Sequence, residues 1–247
     1  MLCDELWEEF SHAFQYQQDF AVTPENFKSF LNRSDVSASL RAPTSKGLFW
    51  SGVSELFDMS TLLGGEGWFV MEISGVAGWL QGTDFCGSPT AANGMNSSEC
   101  IYGDVSPLDN TWHGTWVSFW AEASRIYATQ VRGDINIVLT GRLGHPAYRR
   151  DSFFGSIELG ALRVDQIGGI TISVLPQAID QPLFEQCGHG SLQLLVEDLI
   201  SVGFKKEAIS CNDAPDDLMI YMCTRDPKAH RCKLKESIPS NSSERLV

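Results

Sequence analysis

The chain has 247 residues, 43% of them hydrophobic, and a formal net charge of −13. That apolar fraction supplies the core of one large domain or of two small ones, and no stretch reaches the ~20 consecutive apolar residues of a membrane-spanning helix. The acidic balance, with basic runs no longer than a pair such as Arg149-Arg150, argues against a nucleic-acid partner, because phosphate neutralisation needs clustered Lys and Arg.

In chain order, Leu6, Phe10, Ala13 and Phe14 recur at helical spacing and predict a first helix, with Trp7 beside the stripe. Thr23-Pro24 is a helix start, a capping hydroxyl followed by Pro in the first turn, and Phe27, Phe30 and Leu31 form the stripe behind it. Residues 34–46 are polar and read as a loop, and Gly64-Gly65 and the Gly/Ser/Asn-rich stretch 87–98 punctuate the middle. Trp116, Phe119, Trp120, Ala123 and Tyr127 share one helical face.

The chain then changes character. Ile135-Asn-Ile-Val-Leu139, Ile170-Thr-Ile-Ser-Val-Leu175 and Leu218-Met-Ile-Tyr-Met222 are predicted strands. Between the last two, Leu192, Leu195, Val196 and Leu199 make a helical stripe that ends at Gly203. Strands alternating with a helix predict a small, mostly parallel sheet with a crossover. Residues 236–247 are polar and expected to be disordered. The predicted class is α/β, α+β-like, stapled by disulfides. Residues 1–45 and 70–133 form a helix-rich subdomain, residues 46–69 and 134–235 a sheet subdomain, and the active-site cleft is expected between them.

Seven cysteines include no Cys-x-x-Cys pair, and the five histidines are scattered, so no metal site is expected. Six cysteines fall into local couples, Cys86 with Cys100, Cys187 with Cys211 and Cys223 with Cys232, although other connectivities are open to them. Sequons at Asn32, Asn96 and Asn241 agree with a glycosylated, oxidising setting. Met1-Leu-Cys-Asp-Glu-Leu-Trp7 is too acidic for a signal peptide, so the chain is expected to be cytosolic or to lack its leader.

Two features carry chemistry. Glu158 follows Phe153 and Phe154 and lies between Ile157 and Leu159. If the stretch is extended, Glu158 points away from Ile157 and Leu159. A carboxylate beside aromatics loses solvation, which raises its pKa and suits it to a cationic or cation-forming substrate; a solvent-facing Glu on an edge strand is the structural alternative. The second feature is tryptophan, seven in all, with Trp50 in Leu48-Phe-Trp-Ser-Gly52 and Trp120 in Ser118-Phe-Trp120. Indole faces stack on planar rings and attract cations, though a single Trp more often packs a core. Two indoles and a carboxylate suit a flat cationic ring, or a glycosidic cleavage whose transition state resembles an oxocarbenium ion.

With Pro146-Ala-Tyr-Arg-Arg-Asp-Ser-Phe-Phe-Gly155 through Glu158, Cys187-Gly-His-Gly-Ser-Leu192 and Asp226-Pro-Lys-Ala-His-Arg-Cys232, these stretches resemble the ADP-ribosyl cyclases, most nearly the molluscan type, from about Cys3 to Leu234. The resemblance implies an enzyme that cleaves the nicotinamide–ribose bond of NAD to give cyclic ADP-ribose, a calcium-mobilising messenger, with some hydrolysis to ADP-ribose. NAD is the substrate and no cofactor is implied; NADP use and homodimerisation are left open. The implied catalytic residue is Glu158, in the family's Phe-Gly-x-x-Glu pattern, and the implied substrate tryptophans are Trp50 and Trp120. Ser51, Ser152, Phe153, Phe154 and Gly155 are the further implied binding residues.

The family's second acidic residue lies in a Thr-Leu-Glu-Asp-Thr-Leu segment about two dozen residues after the first Trp. Glu72 matches that place, although Ile73 and Ser74 replace the Asp and Thr, and Glu66 is the alternative. The resemblance also implies the disulfides Cys86–Cys100, Cys187–Cys211 and Cys223–Cys232. Both halves of another family bridge are missing, near Asp19 and near Asp104 to Asp109, and the partner of Cys3 lies upstream in the family. A secretory, granule-luminal or extracellular location follows from the same resemblance, with the leader absent from this chain. The alternatives are an NAD glycohydrolase making mainly ADP-ribose, a catalytically inactive secreted binding member, and a lectin-like domain that holds sugars without releasing nicotinamide.

Overall fold

The computed structural model describes residues 3–14, 22–53, 56, 59–80, 114–142 and 144–236. The chain forms two compact units, residues 1–45, 70–132 and 155–166 in the first and 46–69, 133–154 and 167–247 in the second. Residues 155–166, which include Glu158, therefore cluster with the helices and not with the sheet, where the sequence-based division put them.

The first unit is helical. Helix α1 (Cys3–His12), α2 (Pro24–Leu31), α3 (Ser34–Ser39), α5 (Gly75–Leu80) and α6 (Thr115–Gln130) belong to it. Helix α2 starts as expected: the Thr23 N–H donates to Asn26 Oδ1 at 2.9 Å and Pro24 fills the first turn. Its core is aromatic. Phe10, Phe14, Phe27 and Phe119 are fully buried, and Phe119 meets Phe10 and Phe27 edge-on at 5.5 Å each, the arrangement ring quadrupoles favour. Helix α6 is buried on nearly every face, so its polar residues must be satisfied inside the protein: Ser118 Oγ donates to the Val22 carbonyl at 3.0 Å, and Glu122 pairs with Arg125 Nε at 2.7 Å.

Helix α3 falls in the stretch expected to be a loop. The Val36 N–H donates to Asp35 Oδ1 at 2.9 Å, and Val36 is buried, so one apolar residue and a local acceptor suffice to turn a polar segment into a short helix.

The second unit is built on four strands, β1 (Gly47–Ser51), β2 (Gly133–Thr140), β3 (Ile167–Leu175) and β4 (Ile209–Asp213), all parallel in the order β1-β2-β3-β4. Trp50 pairs with Val138, and Ile172 pairs with Ile137 on one side and Cys211 on the other. Ile137, Val138, Leu139, Ile172 and Val174 are buried, the continuous apolar runs of a parallel sheet covered on both faces. The remaining helices are α4 (Met59–Glu66), α7 (Leu159–Ala161, in the first unit), α8 (Gly190–Val202), α9 (Asp216–Met222) and α10 (His230–Glu236). Helix α8 buries Leu192, Leu195 and Leu199 and ends at Gly203, whose φ of 121° is open to glycine.

Three expectations are corrected. Leu218–Met222 is helix α9, not a strand. Pro215 precedes it, Asp216 and Asp217 occupy its first turn, and the buried side chains are Leu218, Met219 and Met222 while Ile220 is 50% exposed; acidic residues at a helix start and burial one turn apart outweigh a short apolar run. The fourth strand is Ile209–Asp213, too polar to be read as one. Gly64 and Gly65 do not break the chain but lie within α4, where a Cβ on Gly65 would stand 2.1 Å from Tyr221 Oη.

Cys187–Cys211 and Cys223–Cys232 are bonded. Cys86–Cys100, Asn96, Asn241 and the tail lie outside the described residues, apart from Glu236 at the end of α10.

Candidate active site

Glu158 does not sit on an extended segment. Phe154–Glu158 is a π-helical turn that runs directly into α7; wide turns of this kind are rare and recur at functional sites. The turn puts the Glu158 carboxyl among protein groups while the residue keeps part of its surface open. Its pKa is pushed up to about 8, first by burial, then by the negative charge of Glu72, with a hydrogen bond from the Ser124 hydroxyl working against both.

Glu72 stands on a single 3₁₀ turn, Met71–Ile73, and is half-buried. Glu66, the alternative second acid, is in the sheet unit, where its Oε1 accepts the Tyr221 hydroxyl at 2.9 Å. Of the two, Glu72 is the one whose charge acts on Glu158.

Trp120 lies on α6 in the same unit, 8% exposed and braced edge-on by Phe119 at 5.0 Å and Trp116 at 5.9 Å. Its indole N–H is buried without a hydrogen-bond partner among the described residues, a donor that a ligand or a water would satisfy.

Ser124 was not singled out in the sequence. It follows Trp120 by four residues, one helical turn, so the spacing that put Trp120 on a face put Ser124 on it too. The Ser124 hydroxyl also lies 3.6 Å from the sulfur of Met71, the residue before Glu72.

In the sheet unit, Trp50 and Ser51 end β1. Gly52 follows with φ 73°, and a Cβ there would come within 3.1 Å of the Thr140 carbonyl oxygen. Ligands of open parallel sheets bind beyond the carboxyl ends of the strands, which is where Trp50 and Ser51 stand. Strand β2 ends at the same edge, and from it residues 141–154 lead to Ser152, Phe153 and Phe154. Phe154 is buried and packs 5.6 Å from Phe49, the neighbour of Trp50 on β1. Ser152 donates its hydroxyl to the Arg149 carbonyl at 2.7 Å. Glu158, Glu72, Trp120 and Gly155 thus belong to the helical unit, and Trp50, Ser51, Ser152, Phe153 and Phe154 to the sheet unit.

A desolvated carboxylate repelled by a second one is stabilised in its ionised form by an arriving positive charge. This is chemistry for a cation or for a reaction that builds one.

The ADP-ribosyl cyclase family model matches residues 1–232. An ADP-ribosyl cyclase/cyclic ADP-ribose hydrolase of Aplysia californica is 30% identical over 234 residues, covering 94% of this chain and 77% of that protein. The ADP-ribosyl cyclase/cyclic ADP-ribose hydrolase 2 of Homo sapiens is 27% identical over 251 residues, 95% of this chain and 69% of that one. The crystal structure of Aplysia cyclase complexed with substrate NGD and product cGDPR is similar at a TM-score of 0.75 and 26% identity, with 94% of this chain and 86% of that one covered. The structure of ADP ribosyl cyclase complexed with N1-cIDPR matches at 0.76 and 27%, with the same coverage. The fold is that of an enzyme class acting on NAD and its analogues. The chain belongs to the ADP-ribosyl cyclase family.

Proposed function

We propose that this chain cleaves the nicotinamide–ribose bond of NAD and closes the remaining ADP-ribose on itself to give cyclic ADP-ribose, with hydrolysis to ADP-ribose as the lesser outcome. The observation that carries the reading is the Glu158 carboxyl, whose ionisation is opposed by burial and by Glu72. The nicotinamide of NAD is a cationic ring, and its approach favours the ionised form of Glu158.

The steps follow from that charge. The bond between the ribose anomeric carbon and the pyridinium nitrogen breaks, its electron pair goes to the ring, and nicotinamide leaves neutral without needing a general acid. Positive charge passes to the sugar, where the Glu158 carboxylate stabilises it and accepts hydrogen bonds from the ribose hydroxyls. Trp50 and Trp120 flank the nicotinamide, and Ser51 lies near the ribose. Ser152, Phe153 and the backbone around Gly155 hold the diphosphate. Glu72 contacts the nicotinamide amide or governs which nucleophile follows. An adenine ring nitrogen then attacks the anomeric carbon to close the ring; attack by water, with loss of its proton, gives ADP-ribose. Phe153 stacks on adenine and excludes water, so cyclisation exceeds hydrolysis.

The two disulfides among the described residues favour a non-reducing compartment, and we place the protein in the secretory pathway, secreted, granule-luminal or on the outer surface. Incubation with NAD at pH 7 and identification of every product tests the proposal. Nicotinamide with cyclic ADP-ribose in excess is expected; nicotinamide with ADP-ribose alone makes the chain a glycohydrolase, and no nicotinamide at all overturns the reading.

A further inference from the structure

A network of polar contacts in the sheet unit converges on residues 146–154, the strap that carries Ser152, Phe153 and Phe154. At its start, the Ala147 N–H donates to Glu185 Oε2 and the Tyr148 N–H donates to Ser191 Oγ at 3.0 Å. Ser191 in turn gives its hydroxyl to Glu185 Oε2 and its N–H to Oε1, each at 2.8 Å. The Glu185 carboxylate fits because glycines face it: a Cβ on Gly190 would stand 2.6 Å from Oε1, and one on Gly141 3.1 Å from Oε2.

One step along, the Tyr148 hydroxyl donates to Asp198 Oδ2 at 2.7 Å. Arg150 holds the same carboxylate in a fork, Nε to Oδ2 at 2.8 Å and Nη2 to Oδ1 at 2.6 Å. Ser191 and Asp198 are two turns apart on α8, so one helix face grips the strap twice. The Cys187–Cys211 disulfide and the bond from the Cys187 N–H to Asp213 Oδ1 at 2.9 Å tie the segment before α8 to β4. At the far end, the Phe154 ring packs 6.2 Å from Tyr148 and 5.6 Å from Phe49.

The strap is pinned on both sides of Ser152 and Phe153, and Glu185, Ser191 and Asp198, which hold its start, are remote in sequence from every residue assigned to the substrate. An exposed ion pair alone would contribute little. Here Asp198 is only 16% exposed, it takes a bidentate Arg together with a buried Tyr, and what it holds is two side chains of the strap that carries Phe153.

We infer that Asp198, acting through Tyr148 and Arg150 and seconded by Glu185, is a positioning residue that sets Phe153 and with it the choice between internal adenine and water as nucleophile. The inference rests on the proposed function, because it concerns the partition of that reaction's intermediate. Misplacing a reacting group by a fraction of an ångström has a large effect on an intramolecular attack and a small one on a bond cleavage that precedes it.

Asp198→Ala, Tyr148→Phe and the double variant Asp198→Ala with Phe153→Thr test it, each shown to be folded by its thermal transition. With NAD, Asp198→Ala is expected to raise KM about tenfold and the hydrolysed share of product about fivefold, while kcat for nicotinamide release stays within about threefold. Tyr148→Phe, which keeps the ring and loses one hydrogen bond, is expected to move the ratio the same way by about twofold. Because both substitutions act through Phe153, the double variant should show the product ratio of Phe153→Thr alone. An unchanged ratio in Asp198→Ala, or additive effects in the double variant, overturns the inference. Hydrogen exchange at the Ser152 amide, which donates to the Arg149 carbonyl at 3.2 Å between Arg150 and Phe153, needs no turnover: protection lost in Asp198→Ala supports the anchor, and protection retained overturns it. A wild-type chain that releases no nicotinamide sinks the proposed function instead, and the exchange result still judges the anchor.

Discussion

Glu72, on a one-turn 3₁₀ helix, and Glu158, closing a π-helical turn, are brought into electrostatic contact from distant parts of the chain, and the charge of Glu72 raises the pKa of Glu158 beyond what burial does. Two carboxyls that disfavour one another's ionisation form a site whose resting state favours a proton and whose working state favours a cation.

With the Glu158 pKa at about 8 in the unliganded protein, the ionised fraction grows as pH rises through that value, so kcat/KM on NAD should climb and level off above it. Removing a like charge lowers the pKa and removing a hydrogen bond to the carboxylate raises it. Glu72→Gln should therefore move the midpoint to lower pH and Ser124→Ala to higher pH. Both variants moving the profile in one direction would contradict the assignment.

Substrate binding itself should carry a proton signature. At pH 7 much of Glu158 is protonated in the free protein, and a bound pyridinium favours the carboxylate, so NAD should displace a proton. Calorimetry in two buffers of different ionisation enthalpy, using a non-cleavable NAD analogue, reads the number released. A value of zero at pH 7 speaks against a cation held by Glu158.

Stability gives an independent check. A carboxyl raised in the folded state, against roughly 4.3 in the unfolded chain, supports folding fully below the unfolded value, and that support is lost as pH rises through the folded one. Glu158→Gln should match the wild type near pH 4 and be more stable at pH 9 by on the order of 2–4 kcal/mol, while losing about a thousandfold in nicotinamide release. Denaturant titrations at the two pH values decide it. Near-wild-type turnover in this variant would overturn the role of Glu158.

Phe153→Thr should raise the proportion of ADP-ribose over cyclic ADP-ribose several-fold with little change in nicotinamide release, since the aromatic is assigned to adenine and to excluding water. Chromatography of the products on NAD measures it, and an unchanged ratio removes Phe153 from the partition.

Two adjacent glycines of α4 should respond in opposite directions. A Cβ on Gly65 meets the Tyr221 ring and its hydroxyl, which is bonded to Glu66, whereas nothing lies within 4 Å of a Cβ on Gly64. Gly65→Ala should cost about 1–3 kcal/mol, and Gly64→Ala should stabilise by about 0.5–1 kcal/mol, both read from unfolding midpoints.

Helices α1, α2, α6 and α8, whose apolar residues recur at helical spacing, were legible in the sequence, as were β2 and β3, whose runs are rich in β-branched residues. Residues 209–213 and 218–222 were not, because the first is polar after Ile209 and the second is Leu- and Met-rich with one β-branched residue: partners decide whether such a run pairs or coils. The catalytic candidates Glu158, Trp50 and Trp120 came from local residue pattern and family resemblance. Ser124, on the turn after Trp120 and bonded to Glu158, and Asp198, which holds Tyr148 and Arg150 on the strap of Phe153, came only from the fold.

Residue identity determined what the chain was able to do, since a carboxylate, two indoles and a stripe of buried phenylalanines are properties of composition and short-range order. Only the tertiary structure decided that Glu158 rides a helical turn, that Glu72 and not Glu66 acts on it, and that α8 grips the strap bearing Phe153. Desolvation and charge–charge repulsion depend on distance through space, and linear spacing does not encode it.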